Sequence, residues 1–411
     1  LGSESAGAEK RTLEIIEIQS QEFACSLALG RDFAGMTSRE AYIALNMVDG
    51  VGPIRVRALL DRFSEPQAIL AATKADLMQV EGVGEEVARS ITSWREKVNL
   101  DGELQRIEKA AVQVVTRDDT EYPKNLREVY DPPIILYVKG TLSERDALAI
   151  AIVGSRRTTL YGQDMARKLA YQLARVGMTV VSGLARGIDT AAHTGALQAK
   201  GRTVAVIGCG IDIVYPAENE KLAKEIVEKG GAVVTEFPFG VKPDRQNFPM
   251  RNRIISGWTL GTVVVEANLK SGALITANQA AEQGRQVFAV PGRADSILSR
   301  GTNKLIKDGA KLTEDAEDIL GEFEYLLPKR ATEQAEAGSG GGGTKPALVL
   351  SDMEEKVMAQ LGREETAIDD IIRASGLTTA CVSATLLTLE MKRLVRQLPG
   401  KMYVRNLGFA P

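Results

Sequence analysis

Between Asn247 and Gly257 the chain reads NFPMRNRIISG, which sets Phe248, Arg251, Asn252 and Arg253 within seven residues behind a proline-punctuated loop. A phenyl ring calls for burial, whereas guanidinium groups call for water or an anion. A ligand with flat faces and negative charge satisfies both, and a nucleic acid strand is such a ligand. Lys242, Arg245, Arg251 and Arg253 face one acid, Asp244, so the stretch carries a local excess of three positive charges. Such a cluster attracts a phosphate backbone whatever the net charge of the whole chain. Phe248 offers a face for base stacking, worth about 1–3 kcal/mol per base and tolerant of base identity. In a duplex the base faces are already occupied, so a preference for unpaired strands is expected. The alternative is that Phe248 covers a sheet edge while the arginines pair with nearby acids. For Arg251 an inward orientation that holds the loop stands beside contact with a ligand.

A second anion-binding candidate is AIVGSRRTTLYG. Gly154 lets the backbone turn off a strand, and the N–H groups of Ser155 and Arg156, near the start of the next helix, can donate to an anion. Arg156 or Arg157 adds a planar fork suited to phosphate. A plain strand-to-helix turn with a surface arginine reads equally well. In SGLARGIDTAAH, Gly183 and Gly187 permit close backbone approach, while Ser182 and Arg186 can reach across the carboxyl edge of a sheet. The single histidine, His193, reads as a packing residue. With one histidine no multi-His metal site can be built, and a Ser-His-Asp triad would have to pass through it. Cys25, Cys209 and Cys381 lie far apart with no CxxC spacing, which argues against a thiolate metal site or a disulfide scaffold and fits a reduced cytoplasm. No cofactor is expected. GCGIDI at Gly208 lacks the third glycine of a dinucleotide loop and follows a later strand, and GxxxxGK[ST] is absent.

These residues need a scaffold that gathers them. The 411 residues suggest two to three domains, and 44% apolar with 26% charged residues are ordinary globular values. A net charge of −3 leaves any attraction for a polyanion to local clusters. From Ala149 onward short apolar runs alternate with helical patterns stopped by glycine. The runs are 149–153, 179–182, 203–207, 232–235, 262–266 and 286–290, and they alternate little. Strands of that kind are buried on both faces, which predicts an α/β fold: a Rossmann-like, mostly parallel sheet with helices on both faces. The expected organisation is a loosely ordered leader at 1–35, a helical domain at 36–100, the sheet domain at 101–330, a Gly-rich linker at 331–346 and a final domain at 347–411. No apolar run reaches the roughly 20 residues that span a bilayer, and LGSESAGAEK lacks the apolar region of a secretory signal. The chain opens on Leu1, which leaves its true start open.

At this point a resemblance emerges. YPKNLREVYDPPIILYVKG, AIVGSRRTT, SGLARGIDTAAH, NFPMRNRIISG, KSGALITANQAAEQGR and VPGRADSILSRGTNKLIKDGA follow one another over about 118–320. This series resembles the signature blocks of the DNA-processing protein A (DprA/Smf) family. The resemblance implies a Rossmann-like domain that binds single-stranded DNA without strong sequence preference. It implies a homodimer that protects incoming DNA and loads the RecA recombinase during natural transformation, with no enzymatic activity. Carried over residue by residue, the family's DNA pocket falls on the loop of Gly154, Ser155 and Arg156, on Arg245 with Lys242 nearby, on Phe248, on Arg251, Asn252 and Arg253, and on the turn of Lys270, Ser271 and Gly272.

Two flanking regions are also legible. VDGVGPIRVRALL and VEGVGEEVARSI share the form acid-Gly-Val-Gly before a helix, with Gly50 and Gly82 32 residues apart. This is the pattern of a helix-hairpin-helix pair, with two tight helix turns in a small bundle as the alternative, and the region is similar to the sterile-alpha-motif-like N-domain of the family. Gly50, Gly52, Arg55 and Arg57 fit secondary DNA contacts; the Glu85-Glu86 of the second copy does not. The last domain resembles a winged helix, with Thr366 and Asp369 as a capping-box-like pair and a wing turn at Leu398–Lys401. TTACVSATLLTLE, the presumed recognition helix, carries no Lys or Arg, so protein contact or wing contact through Lys401 and Arg405 competes with duplex readout. Two other functions stay in view: a Rossmann-like nucleotide-processing enzyme, against which PGRADSILSRGTN counts, and a winged-helix transcription factor.

Overall fold

The computed structural model describes residues 35–323, 352–361, 366–391, 394–398 and 402–405. The expected leader up to 34, the glycine-rich linker and the wing turn with Lys401 lie outside the described residues. The chain divides into two compact units, Leu1–Pro328 and Lys329–Pro411.

The first unit begins with helices. α1 (Ser38–Met47) starts at a reciprocal cap, in which the Glu40 N–H donates to Thr37 Oγ1 at 3.2 Å and the Thr37 N–H donates to the Glu40 carboxylate at 2.7 Å. α2 (Pro53–Phe63) and α3 (Glu85–Thr92) each follow one of the Gly-Val-Gly turns. Gly50 and Gly82 hold φ of 78° and 80°, a region where a side chain would be strained. α4 (Leu100–Lys109) leads into the sheet.

The sheet elements follow in the order β1 (Gln113–Thr116), β2 (Ile135–Gly140), β3 (Ala149–Val153), α5 (Leu160–Arg175), β4 (Thr179–Ser182), α6 (Ile188–Gln198), β5 (Thr203–Val206), α7 (Glu220–Glu228), β6 (Ala232–Thr235), α8 (Asn247–Trp258), β7 (Gly261–Val264), α9 (Gly272–Glu282), β8 (Gln286–Ala289), α10 (Arg300–Lys307) and β9 (Lys311–Leu312). In space the strands run β1-β2-β6-β5-β4-β3-β7-β8-β9. All pairings from β6 to β9 are parallel, and β2 closes against β6 antiparallel. β3 shows why its strand lacks alternation. Ala149, Ala151 and Val153 join a core with Ile254, Trp258 and Ala277, while Ile150 and Ile152 join one with Leu169, Leu173 and Ile188. Both faces of the strand are covered by helices.

The chain winds outward from β3 through β4, β5 and β6, then returns to place β7 on the other side of β3. That reversal makes a crevice at the carboxyl ends of β3 and β7, where open α/β sheets bind ligands. The helical segment before the sheet shares a core with it: Leu45, Leu59 and Ile91 cluster with Tyr137 of β2, Ala205 of β5 and Val233 of β6. Asn46 Nδ2 donates to the Glu236 carbonyl at 2.9 Å, and the Phe239 N–H donates to the fully buried Glu103 carboxylate at 2.9 Å.

The second unit contains α11 (Asp352–Met358), β10 (Thr366–Ala367), α12 (Ile368–Ser375), α13 (Thr379–Met391), β11 (Val395–Leu398) and β12 (Met402–Arg405), with a sheet in the order β10-β12-β11. Val357, Ile371, Val382, Leu386 and Tyr403 form its core. The expected capping box is not made, because Thr366 lies in a strand paired with Tyr403 and Ala367 precedes the helix.

Candidate nucleic-acid interface

The crevice is a cavity of ≈ 710 Å³ lined by loops that follow β3, β4, β6 and β7. Ten of the twelve residues expected at the DNA pocket line it: Gly154, Ser155, Arg156, Arg245, Phe248, Arg251, Asn252, Lys270, Ser271 and Gly272. Lys242 lies outside its lining, exposed on the loop that precedes α8. Arg253 also lies outside it, buried on the far side of the helix.

NFPMRNRIISG is a helix, not the loop its proline suggested. Asn247, Phe248 and Pro249 form the first turn of α8, where proline removes no hydrogen bond because those N–H groups have no intrahelical acceptor. The helical turn directs the two arginines inward by different routes. Arg251 is 4% exposed, and its guanidinium donates to the Gly183 carbonyl at 2.6 Å and to the Val206 carbonyl. It thereby ties the ends of β4 and β5 together, and burial pushes its pKa down to about 10. Arg253 pairs with the buried Glu236 carboxylate, reaches Asp131 Oδ2 at 3.3 Å and donates to the Asp131 carbonyl at 2.9 Å. Its donors are spent on the protein's own carboxylates, so Arg253 is withdrawn from the rim on which the sequence placed it. Asn252 stays at the crevice, accepting from Arg251 Nε at 3.1 Å.

What remains at the rim is a ring between cations. The Arg156 guanidinium carbon lies 4.7 Å from the Phe248 ring centroid and that of Arg251 6.0 Å away. Arg156, Arg245 and Lys270 are exposed. Tyr215 adds a second ring 5.9 Å from Phe248, inclined by 30°.

The loop that carries Arg156 is set from below. Glu266, 3% exposed just beyond β7, accepts from Thr158 Oγ1 at 2.5 Å, the Thr159 N–H at 2.9 Å and Thr159 Oγ1 at 2.5 Å. The Ser155 N–H donates to the Glu266 carbonyl at 2.7 Å. This corrects the expectation that the Ser155 N–H is available to an anion: it is already bonded, and α5 begins only at Leu160 behind the Thr159 cap. The N-terminus of α9 lies on another part of the crevice lining. Ser271 caps α9 with its side chain, and the first residue of the helix, Gly272, borders the cavity with open space beside it. The Ala273 N–H donates to Ser271 Oγ at 3.3 Å and the Leu274 N–H to the Ser271 carbonyl at 3.1 Å, so the helix start offers mainly its partial positive charge. Gly154 is required because a Cβ would come within 2.6 Å of Ile188 Cγ1, and Gly187, at φ 77°, because a Cβ would strike the Ser155 carbonyl.

Ser182 and Arg186 find partners within the protein, and His193 packs as its sequence reading expects. Ser182 donates to the Ile152 carbonyl at 2.7 Å, and Arg186 pairs with Glu218, with one contact at 2.7 Å. His193 is fully buried against Thr203 at 2.7 Å, and burial pushes its pKa down to about 3. Burial likewise raises the Cys209 thiol to about 11. In the hairpin pair, Arg55 donates to the Gly82 carbonyl at 2.8 Å and to the Gly50 carbonyl at 2.7 Å, clasping the two turns to each other. Arg57 donates to the Tyr130 carbonyl at 2.9 Å and lies over its ring. Gly52 caps α2 at a separate hollow of ≈ 580 Å³ shared with Met250 and Arg253. Glu266 and Tyr215 escaped the sequence reading, because an acid or tyrosine on a loop carries no spacing signal of its own. Among the described residues no group of three or more His, Cys, Asp or Glu side chains is placed to hold a metal, and no helix is long and apolar enough to cross a membrane.

Fold and site together define a Rossmann-like protein with a cationic, ring-bearing crevice at its topological switch point, flanked by a helix-hairpin-helix domain and a winged-helix domain. A family profile described as DNA recombination-mediator protein A matches residues 113–324, one for a DprA winged helix domain matches 344–401, and one for a SAM-like helix-hairpin-helix tandem matches 42–93. Protein Smf of Synechocystis sp. is 36% identical over 396 residues, which cover 90% of this chain and 99% of that protein. DNA processing protein DprA of Streptococcus pneumoniae is 44% identical over 207 residues, covering 50% of this chain and 73% of its own length. The X-ray structure of the S. pneumoniae protein aligns with a TM-score of 0.61 at 34% identity, covering 70% of this chain and 98% of that one. The chain belongs to the DprA/Smf family of DNA recombination-mediator proteins.

Proposed function

We propose that this protein binds single-stranded DNA without sequence preference and acts as a recombination mediator. In this reading it works as a homodimer in the cytoplasm, protects incoming strands during natural transformation and hands them to RecA. The observation that carries the reading is the rim itself: Arg156 stands over the Phe248 ring, and Arg245 and Lys270, the latter just before the N-terminus of α9, stand exposed on the same crevice. The cations take phosphates and the ring takes an unpaired base. The protein acts by binding, not by turnover: a histidine held neutral by burial and a cysteine held as the thiol are poor general acids or nucleophiles.

Titration of labelled oligo-dT and of a matched duplex over a salt series tests it. Single strands should bind tighter, with log affinity falling by about 0.7 per contacted phosphate per log unit of salt. Equal affinity for duplex, or no dependence on salt, overturns the reading. Delivery to RecA is tested separately, by whether the protein speeds RecA filament growth on strands precoated with a single-strand-binding protein.

A further inference from the structure

Phe248 borders several hollows. One is the crevice described above. Another, the outer hollow of ≈ 500 Å³, is lined by Tyr215, Pro243, Asp244, Arg245, Gln246 and Phe248. Phe248 and Arg245 border both. The lining of the outer hollow includes three flat groups, two aromatic rings and a prolyl ring, beside the polar Asp244, Arg245 and Gln246. Tyr215 is 39% exposed, and its ring is inclined by only 30° to that of Phe248 at a centroid separation of 5.9 Å. Its one acid, Asp244, is turned into its own loop, where Oδ1 accepts the Gln246 N–H at 2.8 Å. Lys242 and Arg245 stand exposed beside it.

We propose that this outer hollow is a second base-stacking subsite, with Tyr215 as its platform, so that a strand held at the rim crosses Phe248 and seats consecutive unpaired bases on its two sides. The inference rests on the single-strand reading of the rim and extends it to a site that neither the sequence nor the family blocks singled out. Arg245, on the border of both hollows, meets the phosphate between the two bases. The platform is set before the ligand arrives, because the loops that carry Tyr215 and Phe248 are stitched together. The Gly210 N–H donates to the Val241 carbonyl at 2.8 Å, and the Gly240 N–H to Asp212 Oδ1 at 3.0 Å. Little ordering is left for binding to impose. A subsite built of ring faces accepts any base, which keeps recognition sequence-tolerant while lengthening the footprint.

The test is a length series of labelled oligo-dT titrated against the full chain and its Tyr215→Leu, Tyr215→Phe and Phe248→Ala variants. The series is paired with photocrosslinking of the unaltered protein to oligonucleotides carrying 5-iododeoxyuridine at successive positions. Tyr215→Leu should weaken binding of the longer oligomers by roughly 5- to 150-fold, the range for one stacked base, and leave the shortest bound oligomer unaffected. Tyr215→Phe should restore the loss, and one label position should crosslink to Tyr215. If Tyr215→Leu binds every length as the unaltered chain does, or no label position reaches Tyr215 while Phe248→Ala still weakens binding, the second subsite is wrong and the rim stands. If Arg156→Ala and Phe248→Ala are both without effect, the rim itself is wrong and the subsite falls with it. Should Tyr215→Leu lower the melting temperature, the crosslink and the Tyr215→Phe rescue decide.

Discussion

Arg156 and Arg253 carry the same charge and are both expected at the pocket from the sequence, yet only Arg156 lines it. Arg156 is exposed over a ring, whereas Arg253 is locked between Glu236 and Asp131. Arg156→Ala should leave the urea midpoint almost unchanged and flatten the salt dependence of oligo-dT binding. Arg253→Ala strands the buried Glu236 carboxylate without its partner, a change that typically costs about 3–5 kcal/mol. It should therefore lower the urea midpoint steeply, while the folded fraction keeps its salt slope. His193 makes a separate prediction. Its folded pKa lies near 3, below the ordinary value of 6.5, so burying it neutral favours the fold fully above pH 6.5. That contribution is lost as pH falls from 6.5 toward 3, by at most about 1.4 kcal/mol per pH unit. Urea midpoints measured from pH 7 to pH 5 should fall less steeply for His193→Gln than for the unaltered chain; parallel slopes would remove this role.

The element that decides the site is the loop between β3 and α5. It has no helical structure of its own before Leu160, and its shape depends on three hydrogen bonds to one carboxylate. Glu266→Ala should cost about 1–3 kcal/mol, the usual range when buried polar groups lose a partner. It should also weaken oligo-dT binding although Glu266 lies beneath the loop, and Arg156→Ala should add little to that loss, because both changes remove the same contact. Additive losses in this double-mutant cycle would show that the two residues act independently. α9 begins at Gly272 with Ser271 as its cap, and its N-terminus borders the same crevice as Arg156.

At the scale of the molecule, the helical segment before the sheet behaves as part of it. One core joins Leu45, Leu59 and Ile91 to Tyr137, Ala205 and Val233, and Glu103 is sealed beneath Phe239. Calorimetry of the Leu1–Pro328 unit should therefore give a single cooperative transition, and removal of residues 1–100 should expose that core and lead to aggregation. Two separable transitions would show that the hairpin pair folds by itself. The overall charge of −3 makes the rim a local feature, and high salt should abolish binding without touching stability in proportion.

The sequence by itself determined the alternation of strands and helices, the mostly parallel sheet, the tandem hairpins and the winged helix, because hydrophobic period and glycine punctuation are local properties. It also selected most of the residues that meet at the crevice, because loops at the carboxyl ends of parallel strands converge wherever the winding reverses. Only the tertiary structure decided which charges stay free. Whether Arg251, Arg253, Arg55 and Arg186 meet solvent or a carbonyl and carboxylate of the protein depends on partners 27 to 122 residues away, apart from the nearer Glu236 and Gly50. The same holds for Tyr215, which becomes a neighbour of Phe248 only when two separate loops are stitched side by side.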